Sequence, residues 1–266
     1  MNYLFWNTNK NKVNNILKDI IIENKCDIIA LAEYEDDILS LIASLDKANI
    51  HMYTLPSMGC NRIVILSKFK EKDINYHAHT SYYRILQVPH DNVKNHLIAL
   101  VHLPSKLNAN VSDIDGIICG LISELEKSEN KLKTKNSIIA GDFNINPFES
   151  PMIAAKSAHA LSSREITKRK KRIVYNNEYN MFYNPMWNLF GDNDGVPGTY
   201  YYSSSNQEVY FWNIFDQVII RPDLIENFDN SSLKILTKTK VYNLLNKNNK
   251  PKKDISDHLP IFFKIN

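Results

Sequence analysis

The sequence predicts an α+β fold in which two packed β-sheets are covered by helices. Short apolar, β-branched runs cluster in both halves of the chain, stretches of helical spacing lie between them, and neither a repeat nor a linker divides residues 1–266. The chain is therefore expected to form one domain.

Residues 2–6 form an apolar run that reads as a strand, after which Val13, Ile16, Leu17, Ile20 and Ile21 recur on one face of a helix. Residues 26–32 are apolar apart from Asp27, with Ile28 and Ile29 β-branched. That run is too short for a core helix and reads as a buried strand ending at Glu33. Ile38, Leu41, Ile42 and Leu45 give a second helix, and the preceding Glu35, Asp36 and Asp37 suit its N-terminus, where negative charge complements the helix dipole.

From residue 52 to 103 the apolar runs 63–66, 82–88 and 97–103 make a strand-rich stretch. Val111, Ile114, Ile118, Leu121, Ile122 and Leu125 then restore helical spacing, and 137–140 is a brief strand running into Gly141 and Asp142. Residues 145–208 are the least regular, which fits functional loops better than core. Strands resume at 212–220 and 259–265.

Composition excludes several classes of protein. With 44% hydrophobic and 23% charged residues the chain is neither disordered nor fibrous. No run of 18 apolar residues occurs, and the first residues lack a basic segment followed by an apolar one, so a cytoplasmic protein is expected. Cys26, Cys60 and Cys119 form no Cys-x-x-Cys pair, which argues against a disulfide framework or thiolate zinc; Cys26 and Cys119 read as small core residues. The net charge of +3 is slight, but Lys168, Arg169, Lys170, Lys171 and Arg172 form one dense basic cluster. It is either a solvated face or a contact to a phosphate backbone.

Asn7, Glu33, Asp142 with Asn144, and Asp257 all lie next to short apolar strands, whose ends can converge in space. A group of carboxylates with an amide, and without paired thiolates, suits Mg²⁺ or Mn²⁺ better than Zn²⁺. Singly, an Asp after a strand is as readily a turn former or cap. Asp142 and Asn144 are two apart, so on extended backbone they project to one side, where the carboxylate can activate water and the amide can hold it or a phosphate oxygen. His258, beside Asp257, is a candidate base or phosphate donor, with Asp216 a candidate to orient it.

Five motifs in order then resemble a known superfamily: Trp6-Asn7, Leu31-Ala32-Glu33, Gly141-Asp142-Phe143-Asn144, Phe215-Asp216-Gln217 and Ser256-Asp257-His258-Leu259-Pro260. The chain is similar over nearly its whole length to endonuclease/exonuclease/phosphatase proteins, which include deoxyribonucleases, exonuclease III-like repair enzymes, inositol polyphosphate phosphatases and neutral sphingomyelinases. The resemblance implies a four-layer α/β/β/α sandwich of two mixed sheets flanked by helices. It also implies Glu33 as a metal ligand, Asn7 and Asp257 as nearby ligands or orienting groups, Asp142 and Asn144 on the attacking water and phosphate, and Asp216 bonded to His258.

His102 matches a position where the deoxyribonuclease and sphingomyelinase branches carry His and the repair branch carries Tyr. Two departures stand out. No carboxylate lies near Asn61 and Arg62 to partner His102, and Gln217 stands where many members have Tyr.

The expected activity is hydrolysis of a phosphodiester in DNA or RNA with Mg²⁺ or Mn²⁺, with Lys168, Arg169, Lys170 and Tyr200 contacting nucleic acid. The alternative is a phosphatase or phosphodiesterase acting on inositol phosphates, nucleotides or lipid headgroups. The aromatic runs 182–187 and 200–202 are either loop packing or faces for stacking a base.

Overall fold

The computed structural model describes residues 1–191 and 195–266. One mixed sheet runs, edge to edge, β16 (Lys234–Ile235), β17 (Ile261–Lys264), β1 (Asn2–Asn7), β2 (Ile28–Ala32), β4 (Ile63–Ser67) and β3 (Tyr53–Leu55). The other runs β5 (Asn75–His79), β6 (Tyr83–Val88), β7 (His96–His102), β8 (Ser137–Asp142), β15 (Asp216–Ile220), β12 (Phe182–Tyr183) and β9 (Ala160–Leu161). Two hairpins, β10 (Lys171–Val174) with β11 (Asn177–Asn180) and β13 (Tyr200–Tyr201) with β14 (Trp212–Asn213), stand apart from both.

The layering follows from strands that are apolar on both faces. On β1, Tyr3 and Phe5 join Ile98, Leu100, Ile138, Val218 and Phe263 in the core between the sheets. Leu4 and Trp6, pointing the other way, pack with Leu17, Ile20, Leu41 and Leu45 of helices α1 (Asn14–Asn24) and α2 (Ile38–Asp46). On the far side Leu97, Ala99 and Val101 pack against Ile114, Ile118, Leu121 and Leu125 of α3 (Val111–Leu132). Each such side chain contributes about 1.5–3 kcal/mol on burial, so three contiguous cores hold four layers together. The expected α/β/β/α sandwich is what forms.

Local signals are met in part. Asp37 caps α2, accepting from the amides of Leu39 and Ser40, whereas Asp36 bonds the amide of Asn14 and Glu35 faces Lys10 instead. Cys26 and Cys60 are buried, but Cys119 is only half-buried on α3 and is not a core residue. The run 212–220 is not one strand. Asn146 takes the amide of Ile214 at 3.0 Å, so Trp212–Asn213 turns away to pair with Tyr200–Tyr201 while Asp216–Ile220 pairs with β8. Among the described residues no helix is long and apolar enough to cross a membrane.

Candidate active site

Register places three of the candidate residues in one row. β7 and β8 run parallel with His102 opposite Asp142, and β15 runs antiparallel to β8 with Asp216 opposite the same Asp142. Gly141, φ +149°, makes this approach possible: a Cβ there would lie 2.0 Å from the carbonyl oxygen of Val101.

The other sheet delivers Asn7 and Glu33 at the ends of the parallel pair β1 and β2. Glu33 leaves its strand with φ +48°, a turn held by its carbonyl, which accepts from the Thr8 hydroxyl at 2.7 Å and the Lys10 amide at 2.8 Å. Its carboxylate thereby points back toward β1. Asn7 Nδ2 donates to Glu33 Oε1 at 3.3 Å and to Asp142 Oδ2 at 3.0 Å, bridging two carboxylates that would otherwise repel each other. The second oxygen of Asp142 accepts from the Asn144 amide at 2.9 Å. Asn144 itself has φ +53°, and its Nδ2 is tied to the carbonyl of Leu103 at 2.9 Å.

His258 enters from the segment before β17. Its carbonyl accepts from the Trp6 indole at 3.0 Å and its amide donates to Ser256 Oγ at 3.1 Å, while that hydroxyl donates to the carbonyl of Asn7 at 2.7 Å. The ring donates from Nδ1 to Asp216 Oδ2 at 2.8 Å and holds Nε2 4.0 Å from Asp142 Oδ2. Burial pushes the imidazolium down, but the charges of Asp216 and Asp142 outweigh it and hold the ring's pKa up at about 10. Burial pushes Asp216 up, against the pull of the imidazolium it faces.

His102 Nε2 lies 3.5 Å from Glu33 Oε1 and 4.0 Å from Asp142 Oδ2. Contact with His102 is the largest influence holding Glu33 down at about 2, with Asn7 adding to it against the effect of burial. The missing carboxylate has a visible consequence: among the described residues His102 Nδ1 is buried without a hydrogen-bond partner.

Asn7, Glu33, His102, Asp142 and Asn144 line one cleft of about 470 Å³. Its donors are carboxylate and amide groups, a hard set that fits Mg²⁺ or Mn²⁺. Asp142, Asp216 and His258 also bring ligand-type atoms within 4.8 Å of one another; there Asp216 Oδ2 bonds His258 Nδ1 while Asp216 Oδ1 is buried without a hydrogen-bond partner, and because all three residues are buried the open cleft around Glu33 is the better seat for a cation.

Not every candidate joins this group. Asp257 lines a neighbouring cleft and acts here through its charge on His258. Tyr200 is adjacent to the site, its ring 4.7 Å from that of His258 and stacked on Phe215 at 5.2 Å.

The basic cluster lies elsewhere. Lys168 follows the short helix α4 (Arg164–Thr167) and pairs with Glu226 at 3.4 Å, and Lys170 pairs with Asp223 at 2.6 Å, beyond the end of β15 opposite to Asp216. Five strand residues separate those ends by about 13 Å. Arg169 sits between them, its amide bonded to Ile166, so the structure does not bring Lys168, Arg169 and Lys170 to the site. In the run 182–187, Phe182 and Tyr183 form strand β12 and, with Met186, are buried, so they pack in the core and offer no face for a base.

Lys10, Arg62, Ser105 and Asn108 also line the cleft, unannounced by any motif. Register accounts for Arg62. β2 and β4 pair antiparallel with Ala32 opposite Ile63, so the residue before β4 falls beside the one after β2, which is Glu33.

No protein-family model and no curated protein matches the chain. Solved structures do. An AP endonuclease from Archaeoglobus fulgidus is similar at TM-score 0.57 and 13% identity, over 100% of this chain and 99% of that one. The 3′-5′ exonuclease NExo from Neisseria meningitidis is similar at TM-score 0.57 and 13% identity, over 100% of both chains. An endonuclease/exonuclease/phosphatase family protein from Leptotrichia buccalis is similar at TM-score 0.55 and 16% identity, over 100% and 99%. The chain thus has the endonuclease/exonuclease/phosphatase fold, as its ordered motifs implied.

Proposed function

We propose that this chain is a phosphoesterase dependent on a divalent cation, cleaving phosphodiesters of DNA or RNA with an activated water. The observation that carries this is the row His102, Asp142 and Asp216 across β7, β8 and β15, closed by the 2.8 Å bond from His258 to Asp216 and by Asn7 bridging Asp142 to Glu33. The neighbours add support, since one is an AP endonuclease and another a 3′-5′ exonuclease.

Glu33, with Asn7 beside it, would hold Mg²⁺ or Mn²⁺, which when bound neutralises phosphate oxygens and acidifies water. The chain's own residues supply the rest. Asp142, fixed through both oxygens by Asn7 and Asn144, is set to orient a water and accept its proton. His258, kept protonated by Asp216, offers Nε2–H to the charge that builds on the phosphoryl oxygens. Asn144 and His102 line the same cleft and add donors to the phosphate.

The test is a panel of single-stranded and duplex DNA, RNA and phosphomonoesters with Mg²⁺ or Mn²⁺, using His258→Ala as the control. Cleavage of a polynucleotide that vanishes in the variant supports the reading. Activity confined to monoesters would replace it with a phosphatase.

A further inference from the structure

A second cleft of about 450 Å³ is joined to the first by short ties, since Ser256, next to its residue Asp257, bonds the carbonyl of Asn7, and Asn11 bonds the carbonyl of its residue Lys253. It is lined by Tyr201, Tyr202, Lys250, Lys252, Lys253 and Asp257, and Asp257 is the chain neighbour of His258, whose Nε2 lies 4.0 Å from Asp142 in the first cleft. A small phosphomonoester seated by Glu33 would leave this second cleft unused. A chain of nucleotides with its scissile phosphate at Asp142 extends beyond the first cleft, and this second cleft lies beside Asp257 on the His258 side.

Its chemistry matches that occupant. Among the described residues Lys250, Lys252 and Lys253 make no salt bridge, whereas Lys168, Lys170 and Lys171 of the dense basic cluster are all ion-paired. The Lys250 ammonium stands 4.0 Å over the Tyr201 ring and braces it. Tyr202, whose amide donates to the Phe211 carbonyl at 2.8 Å, stays 49% exposed, and the nearby Tyr210 and Phe211 are 59% and 49% exposed. Open aromatic faces next to unpaired cations are what a single strand requires, because bases stack on the rings while the ammonium groups follow the phosphates.

We propose that the cleft formed by the β13–β14 hairpin and the 250–253 segment is a polynucleotide subsite, holding the nucleotides next to the phosphate cleaved at Asp142. This rests on the hydrolytic reading only in saying which phosphate lies beside it.

Binding is measured separately from cleavage, by fluorescence anisotropy of a labelled 20-nucleotide single strand in chelator. The proteins compared are the full chain, Lys250→Ala/Lys252→Ala/Lys253→Ala, Tyr202→Ala and Tyr202→Phe. The triple variant is expected to weaken Kd at least ten-fold and to flatten the dependence of log Kd on log salt by about two, from about 0.7 per phosphate contact. Tyr202→Ala should lose about ten-fold and Tyr202→Phe should recover it. With Mg²⁺ or Mn²⁺, the triple variant's loss on oligonucleotide should exceed its loss on bis(p-nitrophenyl) phosphate at least ten-fold.

Unchanged Kd and salt slope in folded variants would overturn the subsite, even if the protein cleaves the small ester. Loss of binding in a protein that hydrolyses neither substrate would uphold the subsite and sink the hydrolytic reading.

Discussion

The His258 ring donates to Asp216 at 2.8 Å inside a wall where neither side chain exceeds 8% exposure. The residues are 42 positions apart, Asp216 on β15 of one sheet and His258 in the segment that leads into β17 of the other, yet this bond fixes the orientation of the imidazole and favours its charged form.

Removing that charge should be visible in the pH profile of catalysis. Asp216→Asn keeps the shape of the partner and takes away the charge that holds His258 up at about 10. Below pH 6 the variant should lose about 10²-fold in kcat/KM or less, and the deficit should widen toward pH 9 as its imidazole deprotonates near the ordinary 6.5. Parallel profiles for the two proteins would show that His258 does not act as an imidazolium.

The same shift has a stability consequence. A histidine raised to about 10 in the folded state stabilises fully below about 6.5, and that contribution disappears as pH rises through about 10. Urea midpoints should therefore fall between pH 7 and 10 in the wild type and less steeply in His258→Gln. Glu33 runs the other way: lowered to about 2, it stabilises above about 4.5 and loses that effect as pH falls toward 2. In chelator, the melting temperatures of wild type and Glu33→Gln should converge on acidification, and constant spacing would contradict this.

Gly141→Ala should be strongly destabilising, by about 3 kcal/mol or more, because backbone and not a flexible side chain stands 2.0 Å from the new Cβ. Strands β7 and β8 would have to part at the level of His102 and Asp142, so activity should fall with stability. Chemical denaturation checks the first effect, and a stable, active variant would refute the close-approach argument.

Glu33→Gln tests the seat of the cation. The midpoint for activation by Mg²⁺ or Mn²⁺ should move at least ten-fold to higher concentration, with Asn7→Ala giving a smaller shift because Asn7 also positions Asp142. Calorimetric titration of the metal reads the same change without turnover. An unchanged midpoint would move the cation away from Glu33.

Much of this site was legible in the sequence because strand-end residues inherit their position from the strand. Glu33 after 26–32, Asp142 after 137–140 and His258 before 259–265 were found that way, and α1, α2 and α3 declared themselves by spacing. What could not be read was adjacency. Nothing in the chain states that β8 lies between β7 and β15, so the facing of His102 and Asp216 across Asp142 emerges only from register. Loop residues such as Lys10, Ser105 and Asn108 carry no periodic pattern. Lys168, Arg169 and Lys170 misled for the complementary reason: a run of charge reveals density, and of its neutralising partners only Glu165 is near in sequence, while Glu226 and Asp223 are more than 50 residues away.

The ties from Trp6 and Asn7 to the segment around His258 set an order of events during synthesis. A growing polypeptide on the ribosome carries Asn7, Glu33, His102 and Asp142 for a long interval before residue 258 is translated, and until then β1 lacks β17 along one edge. The row around Asp142 therefore gains its last side chain in a single late step, and a product terminated before residue 258 lacks the partner of Asp216.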